Sequence, residues 1–443
     1  MKIFVAMHVF SNFGGIINHN EQLCAGLKEL GHDVTFAYIK PTKTFCKEHI
    51  PVLGEGYEIG EGTGYPVHQG NGWDAPYYSL LNPDSIKQFV EDANKHDIVI
   101  WQSIFGFKNQ ETEEFDGWTP MIEDVNAKQI VVIHDANIKK LYSWIYKFQH
   151  KFTAIATVHT SAQSSADFLE VPRNMILNPQ DMSKVYKSSF KDKKKSLLSL
   201  QTFKGMKRVD TLVSAIPYID GHVFLAGDGI ERNYMTSIDK CKPQYYCTYE
   251  VDPNATDEMR DKKIWDNALN NGNFEYLGFI TEQKRDEILN DSMFLLDPSW
   301  SKSYGAHFNR VIVDAMMTGT VPIARNLGIS DNEDGVTELL KPGKNYLMIP
   351  HDVTPKQFGD YVNKFFNISE SEYDEIVETN FELIKQFDRK IVAQQFIDLA
   401  MGKNAGVLEQ NEIGRLNPKI ITVANKLWDH FKKSTTRTFD EFF

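Results

Sequence analysis

Short apolar runs separated by amphipathic stretches recur along the chain. The first run, residues 2–7, leads through a turn holding Gly14 and Gly15 into a stretch where Ile16, Leu23, Leu27 and Leu30 keep roughly helical spacing. Gly31 suits the position just past a helix end, and a second apolar run covers residues 34–39. The pattern predicts strand, helix, strand. Runs at 98–101, 130–133 and 154–158 alternate with helical or loop segments, as buried parallel strands do. The first half therefore reads as a Rossmann-like α/β domain.

Residues 178–195 turn polar and lysine-rich before a second alternation begins. It predicts strands at 196–200, 222–226, 274–277, 293–296 and 321–324, with helices at 209–216, 282–290 and 308–317. Two domains follow, 1–180 and 196–418. Residues 48–82, rich in Gly, Pro and aromatics, read as an inserted surface loop. Ile421, Ala424, Leu427, Trp428 and Phe431 predict a last helix within 419–443 that crosses back to the first domain.

A length of 443 residues suits two cores. With 48 Lys and Arg against 60 Asp and Glu, the net charge of −12 disfavours nonspecific attraction to nucleic acid or anionic lipid. A local exception runs from Lys184 to Arg208, where nine basic residues accompany one acid, Asp192. A solvated face or a linker accounts for its first part as well as a ligand does. Cys24, Cys46, Cys241 and Cys247 match no zinc spacing, so reduced thiols and a cytoplasmic location are expected, with no metal. The apolar opening is too short to span a bilayer and lacks a cleavage site, so no membrane association is expected.

The most informative stretch is DPSWSKSYGAHFNRVIVDAMMTGTVPIAR, residues 297–325. A glycine-bearing turn entering a helix offers N–H groups and a positive dipole end to a diphosphate, although an ordinary loop-helix-strand unit has the same pattern. In the first half, His134 and Asp135 follow a strand, at the edge where open α/β sheets hold ligands. His134 can hydrogen-bond a sugar hydroxyl and Asp135 can orient or deprotonate an acceptor; capping a helix is the plainer alternative. His159 has a similar position.

Residues 314–322, DAMMTGTVP, resemble the E-A-M-A-C-G-x-P-V signature of retaining GT-B glycosyltransferases. That resemblance implies two Rossmann-like, doubly wound parallel-sheet domains facing across a cleft, with Asp314 holding the donor ribose. The family's second Glu, eight residues earlier, is replaced by Ala306, leaving His307, Asn309 and Arg310 as the nearest polar substitutes. Residues 273–280, which include Gly278 and Phe279, resemble the segment whose backbone recognises the nucleotide base. FKGMKRVD at 203–210, with Leu212 and Ala215, resembles the K-G-x-x-x-L-x-x-A phosphate element. Lys204 or Lys207 serves as its lysine, next to Arg208, and the family's Arg five residues earlier is missing under either alignment.

Short pieces at 31–38, 133–135, 203–205, 229–232 and 318–322 resemble the T-even phage DNA glycosyltransferases, which act on 5-hydroxymethylcytosine. This narrower resemblance implies a UDP-sugar donor, UDP-glucose or UDP-arabinose, and His134 and Asp135 at the reaction centre. It places Gly14 and Gly15 in a substrate loop and Arg232 near the donor phosphates. It also implies double-stranded DNA as partner, the target base flipped out and the backbone held by the lysines of 184–195 with Lys139 and Lys140. The other readings are a cellular glycosyltransferase acting on a polysaccharide, lipid or small molecule, and a nucleotide-sugar epimerase or binding protein.

Overall fold

The computed structural model describes residues 1–8, 15–40, 76–79, 82–102, 104, 118–134, 143–158, 169–201, 203, 207–227, 263–299, 310–325, 340–350 and 353–403. They form two compact units, one of Met1–Asp181 with the described residues from Gln386 on, the other of Met182–Lys385.

The first unit runs β1 (Lys2–His8), α1 (Gly15–Glu29), β2 (Asp33–Lys40), β3 (Tyr77–Ser79), α2 (Pro83–Ala93), β4 (Ile98–Gln102), α3 (Trp118–Glu123), β5 (Lys128–Ile133), β6 (Phe152–Thr157) and β7 (Arg173–Met175). Its seven strands lie in the order β3-β2-β1-β4-β5-β6-β7, every neighbouring pair parallel. Parallel strands covered on both faces cannot alternate polar and apolar, which is why IVIWQ in β4 is buried throughout. The expected surface loop at 48–82 is corrected at its end. Residues 77–79 pair with β2 because Tyr78 is buried and its hydroxyl donates to Asp92 at 2.8 Å. The rest of that loop lies outside the described residues.

The second unit runs β8 (Lys194–Leu200), α4 (Val209–Ala215), β9 (His222–Ala226), α5 (Lys263–Leu269), β10 (Phe274–Gly278), α6 (Glu282–Asp291), β11 (Ser292–Asp297), α7 (Arg310–Met317), β12 (Val321–Arg325), β13 (Leu347–Ile349), α8 (Pro355–Phe365) and α9 (Glu370–Ile384). Its parallel sheet has the order β10-β9-β8-β11-β12-β13. Local chemistry sets the boundaries. Thr281 accepts from the Lys284 N–H to start α6, and reciprocal Thr354/Gln357 and Ser369/Glu372 capping boxes start α8 and α9. Gly319 ends α7 in the left-handed region at φ 66°, and a Cβ there would collide with the Ser188 carbonyl.

The last described helix, α10 (Arg389–Ala400), belongs to the first unit, although residues up to 418 were expected in the second. The reason is packing. Val392, Ala393, Phe396, Ile397 and Ala400 join the core made by Leu23 and Leu27 of α1 with Ile3, Val5, Ile130 and Ala154 of the sheet. Gly26 lets α1 approach the Arg389 backbone, and Arg389 pairs with Glu29 and with Asp181 at 3.1 Å. The helix expected at 419–443 lies outside the described residues.

In both sheets the chain's first strand sits beside its fourth, β1 by β4 and β8 by β11, where strand order reverses. Open α/β sheets bind ligands at the C-terminal ends of the strands flanking such a reversal.

Candidate functional site

In the second unit that edge carries charge. Lys207 stands in the connection after β8, and Asp297 is the last residue of β11, the strand next to β8. Burial pushes the Lys207 ammonium below the ordinary lysine range, and the Asp297 carboxylate pulls it back. Asp297 is itself buried and accepts from the backbone N–H of Ser299 at 3.0 Å and from its hydroxyl. Arg208 takes another course. It lies in the left-handed region at φ 49°, fully buried, with its guanidinium on Asp210 at 3.1 and 3.2 Å, a contact that serves the start of α4.

A second charged group joins the first turn of α6 to α7. Asp314 is buried, with Oδ2 at 3.0 Å from Arg285 Nη1 and Oδ1 at 3.7 Å from Arg310 Nε. Arg285 also holds Asp286 at 2.7 Å, and Arg310 stands 4.0 Å from Glu282, which meets Lys184 at 3.3 Å. Burial raises the Asp314 carboxyl above the usual carboxylate range, although both arginines pull it down. For Glu282 the balance reverses: burial acts upward, but Lys184, Arg285 and Arg310 hold it below the usual value. The acid at 314 is thus held in a guanidinium clamp.

Gly278, at φ 61°, ends β10, and its carbonyl accepts from the Gly227 N–H at 2.7 Å. Phe279 next to it is 69% exposed, an apolar ring left in solvent at the strand end expected to meet the base.

Among the described residues, the reversal point of the first unit is lined by amides and imidazoles. Gln102 ends β4 in register with Met7 of β1 and Val132 of β5. His134, just past β5, donates from Nε2 to Gln102 Oε1 at 2.6 Å. His19, in the first turns of α1, donates from Nδ1 to Asn178 Oδ1 at 2.9 Å, and its ring meets that of His134 edge to face with centroids 4.8 Å apart.

The structure thus gathers His134 at one sheet edge, and Lys207, Arg310, Asp314, Gly278 and Phe279 along the other unit's strand ends and helix starts. Gly15 opens α1. Asp135, Gly14, Lys204, Arg232, His307 and Asn309 lie outside the described residues, as do His159, Lys139 and Lys140. Gln102, His19, Asn178, Arg285 and Asp297 were not anticipated. Gln102 had a readable signal, a polar residue closing an apolar run; Arg285 had none, because nothing local shows that α6 faces α7.

The lysines of 184–195 are spoken for within their own unit. Lys184 pairs with Glu282, Lys187 with Glu378, Lys191 with Glu370 at 2.9 Å and Lys194 with Asp291, while Lys195 lies over the Phe366 ring. Lys193 is half-buried and donates to the carbonyls of Leu289, Asn290 and Thr318 and to the Thr320 hydroxyl, at 2.9–3.0 Å. Acids that the linear sequence places far away thus meet the lysines expected to hold a DNA backbone, in ion pairs that lie at the surface.

Residues 183–380 match the family Glycosyl transferases group 1. The whole chain shares the GT-B fold with several solved structures. HepE of Anabaena, solved with UDP, aligns over 91% of this chain and 100% of its own at a TM-score of 0.60 and 13% identity; it was also solved with UDP-glucose. Sucrose-phosphate synthase of Thermosynechococcus elongatus aligns over 91% and 99%, at 0.59 and 13%. A glycosyltransferase of Rickettsia africae aligns over 90% and 98%, at 0.56 and 15%. No curated protein matches the sequence. Among the described residues, no His, Cys, Asp and Glu cluster is arranged to hold a metal, and no helix is long and apolar enough to cross a membrane.

Proposed function

We propose that the chain transfers a sugar from a UDP-sugar to a hydroxyl acceptor, with the second unit holding the donor. The observation that carries this reading is the charged strand edge inside the group 1 match: Lys207 beside Asp297, and Asp314 clamped by Arg285 and Arg310. An ammonium at a strand-to-helix connection stabilises the diphosphate charge that grows as the glycosidic bond breaks, and so acts mainly in the transition state. Asp314 is assigned to the ribose hydroxyls, Arg310 to the sugar-phosphate end, and Gly278 and Phe279 to the base. HepE, of the same fold, was solved with UDP and with UDP-glucose, which supports a uridine donor.

In the first unit, His134 with its neutral neighbours suits a sugar or acceptor hydroxyl, and Asp135 is assigned the acceptor proton. Transfer with retention follows from the signature around Asp314. The test is direct. Purified protein is incubated with UDP-glucose or UDP-arabinose, alone and with hydroxymethylcytosine DNA, an oligosaccharide or a glycolipid, and UDP release and acceptor mass are followed. UDP binding by calorimetry with acceptor-dependent release is expected; absence of UDP binding overturns the proposal. A mass shift on DNA assigns the phage-like acceptor, and a shift elsewhere assigns the cellular one.

A further inference from the structure

Four polar side chains at the C-terminal edge of the first sheet form a largely buried group in which two histidines meet two amide oxygens. Gln102 is fully buried and His134 is 9% exposed, and 2.6 Å separates His134 Nε2 from Gln102 Oε1. His19 and Asn178 form the second pair at 2.9 Å, and the two imidazoles cross at 90°. Phe396 of α10 backs His19, with ring centroids 6.2 Å apart. An amide oxygen only accepts, so the proton of His134 sits on Nε2 and that of His19 on Nδ1. Core packing alone would not call for this arrangement, since the residues of β4 before Gln102 are Ile, Val, Ile and Trp. The polar residue appears where strand order reverses and ligands bind.

We infer that Gln102 is a positioning residue for His134, fixing the plane and the Nε2–H tautomer of its imidazole, with His19 and Asn178 as the wall against which the ring is set. The inference rests on the proposed role of His134 toward a hydroxyl. Among the described residues, the titratable group whose contact with His134 is established is His19 from α1; Gln102, Asn178 and Phe396 carry no charge.

The test uses the full chain with Gln102→Glu and Gln102→Met. Long-range nitrogen–proton NMR without substrate reads the tautomer. The wild type shows the proton on Nε2, the Met variant shows a mixture, and the Glu variant raises the imidazole pKa by about one unit or more because a carboxylate favours the imidazolium. In turnover with UDP-sugar and acceptor, Gln102→Met lowers kcat about 100-fold with little change in donor KM, as misplacement of a reacting group does. Gln102→Glu moves the acid limb of the kcat profile upward with the NMR titration. It keeps the acceptor oxygen and carries the test if the Met variant fails to fold. An unchanged imidazole pKa in Gln102→Glu overturns the inference. If the NMR changes appear and turnover ignores them, the role given to His134 falls and the positioning role with it, whatever the donor site does.

Discussion

At the reversal point of the second sheet, Lys207, Asp297, Arg285, Arg310 and Asp314 bring charges together, whereas at the reversal point of the first, Gln102, His134, His19 and Asn178 are joined by amide oxygens. The two sheets share one strand order, so topology cannot be the source of the difference. Topology decides where a ligand sits, and the side chains decide what it is. A charged edge matches a diphosphate whose charge grows during bond cleavage. A neutral one matches hydroxyls, which a fixed tautomer can orient without adding charge.

The comparison is broken most directly at Lys207. Lys207→Ala should lower kcat for sugar transfer by about 100- to 1000-fold, the scale of losing one preorganised charge stabiliser, while the circular dichroism stays native. Near-normal turnover in that variant, alongside an inactive Lys204→Ala, would move the phosphate role to Lys204. The next largest effect belongs to Arg285. Replacing it by alanine leaves Asp314 buried without its nearest partner, which costs about 3 kcal/mol and lowers the denaturant midpoint. An unchanged midpoint would show that Arg310 alone satisfies the acid.

Much of this contrast was legible in the sequence, and what was not follows a rule. The apolar runs located both sheets because parallel strands bury both faces, while Asp314 was singled out by the resemblance of DAMMTGTVP to a family signature. Arg285 and Glu378 were invisible, since each acts on a residue brought near only by tertiary packing. For the same reason the lysines of 184–195 looked like a free basic patch. Residues 77–79 were hidden by brevity, a three-residue strand held by Tyr78.

Charge in the second unit also serves structure, at the opposite edge of the sheet, and Lys193 separates that use from the ligand edge. Burial pushes its ammonium down to about 7, from 10.5 in the unfolded chain. Above pH 7 the unfolded state holds the proton more tightly, so stability increases with pH between 7 and 10.5, by up to about 1.4 kcal/mol per unit. Below pH 7 both states are protonated and this gain is absent. Denaturant midpoints at pH 7, 8 and 9 should rise in the wild type and flatten in Lys193→Met; parallel curves would remove Lys193 as the source.

The smallest effect is expected at the surface. Lys184, Lys187 and Lys191 keep 47%, 56% and 75% of their side chains exposed, and each meets an acid of its own unit. Exposed pairs of this kind contribute little because water and salt screen them. The triple replacement by glutamine should leave donor kcat/KM unchanged and shift the melting temperature by about 3 °C or less. Retention of hydroxymethylated DNA in a gel-shift assay should not change either. If the triple variant instead loses DNA retention, and the loss is matched in the wild type by added salt, these lysines leave their partners for a phosphate backbone. The charged character of the second unit would then extend beyond the strand edge that holds Lys207 and Asp297, and its contrast with the amide-and-imidazole edge of the first unit would no longer mark a single ligand site.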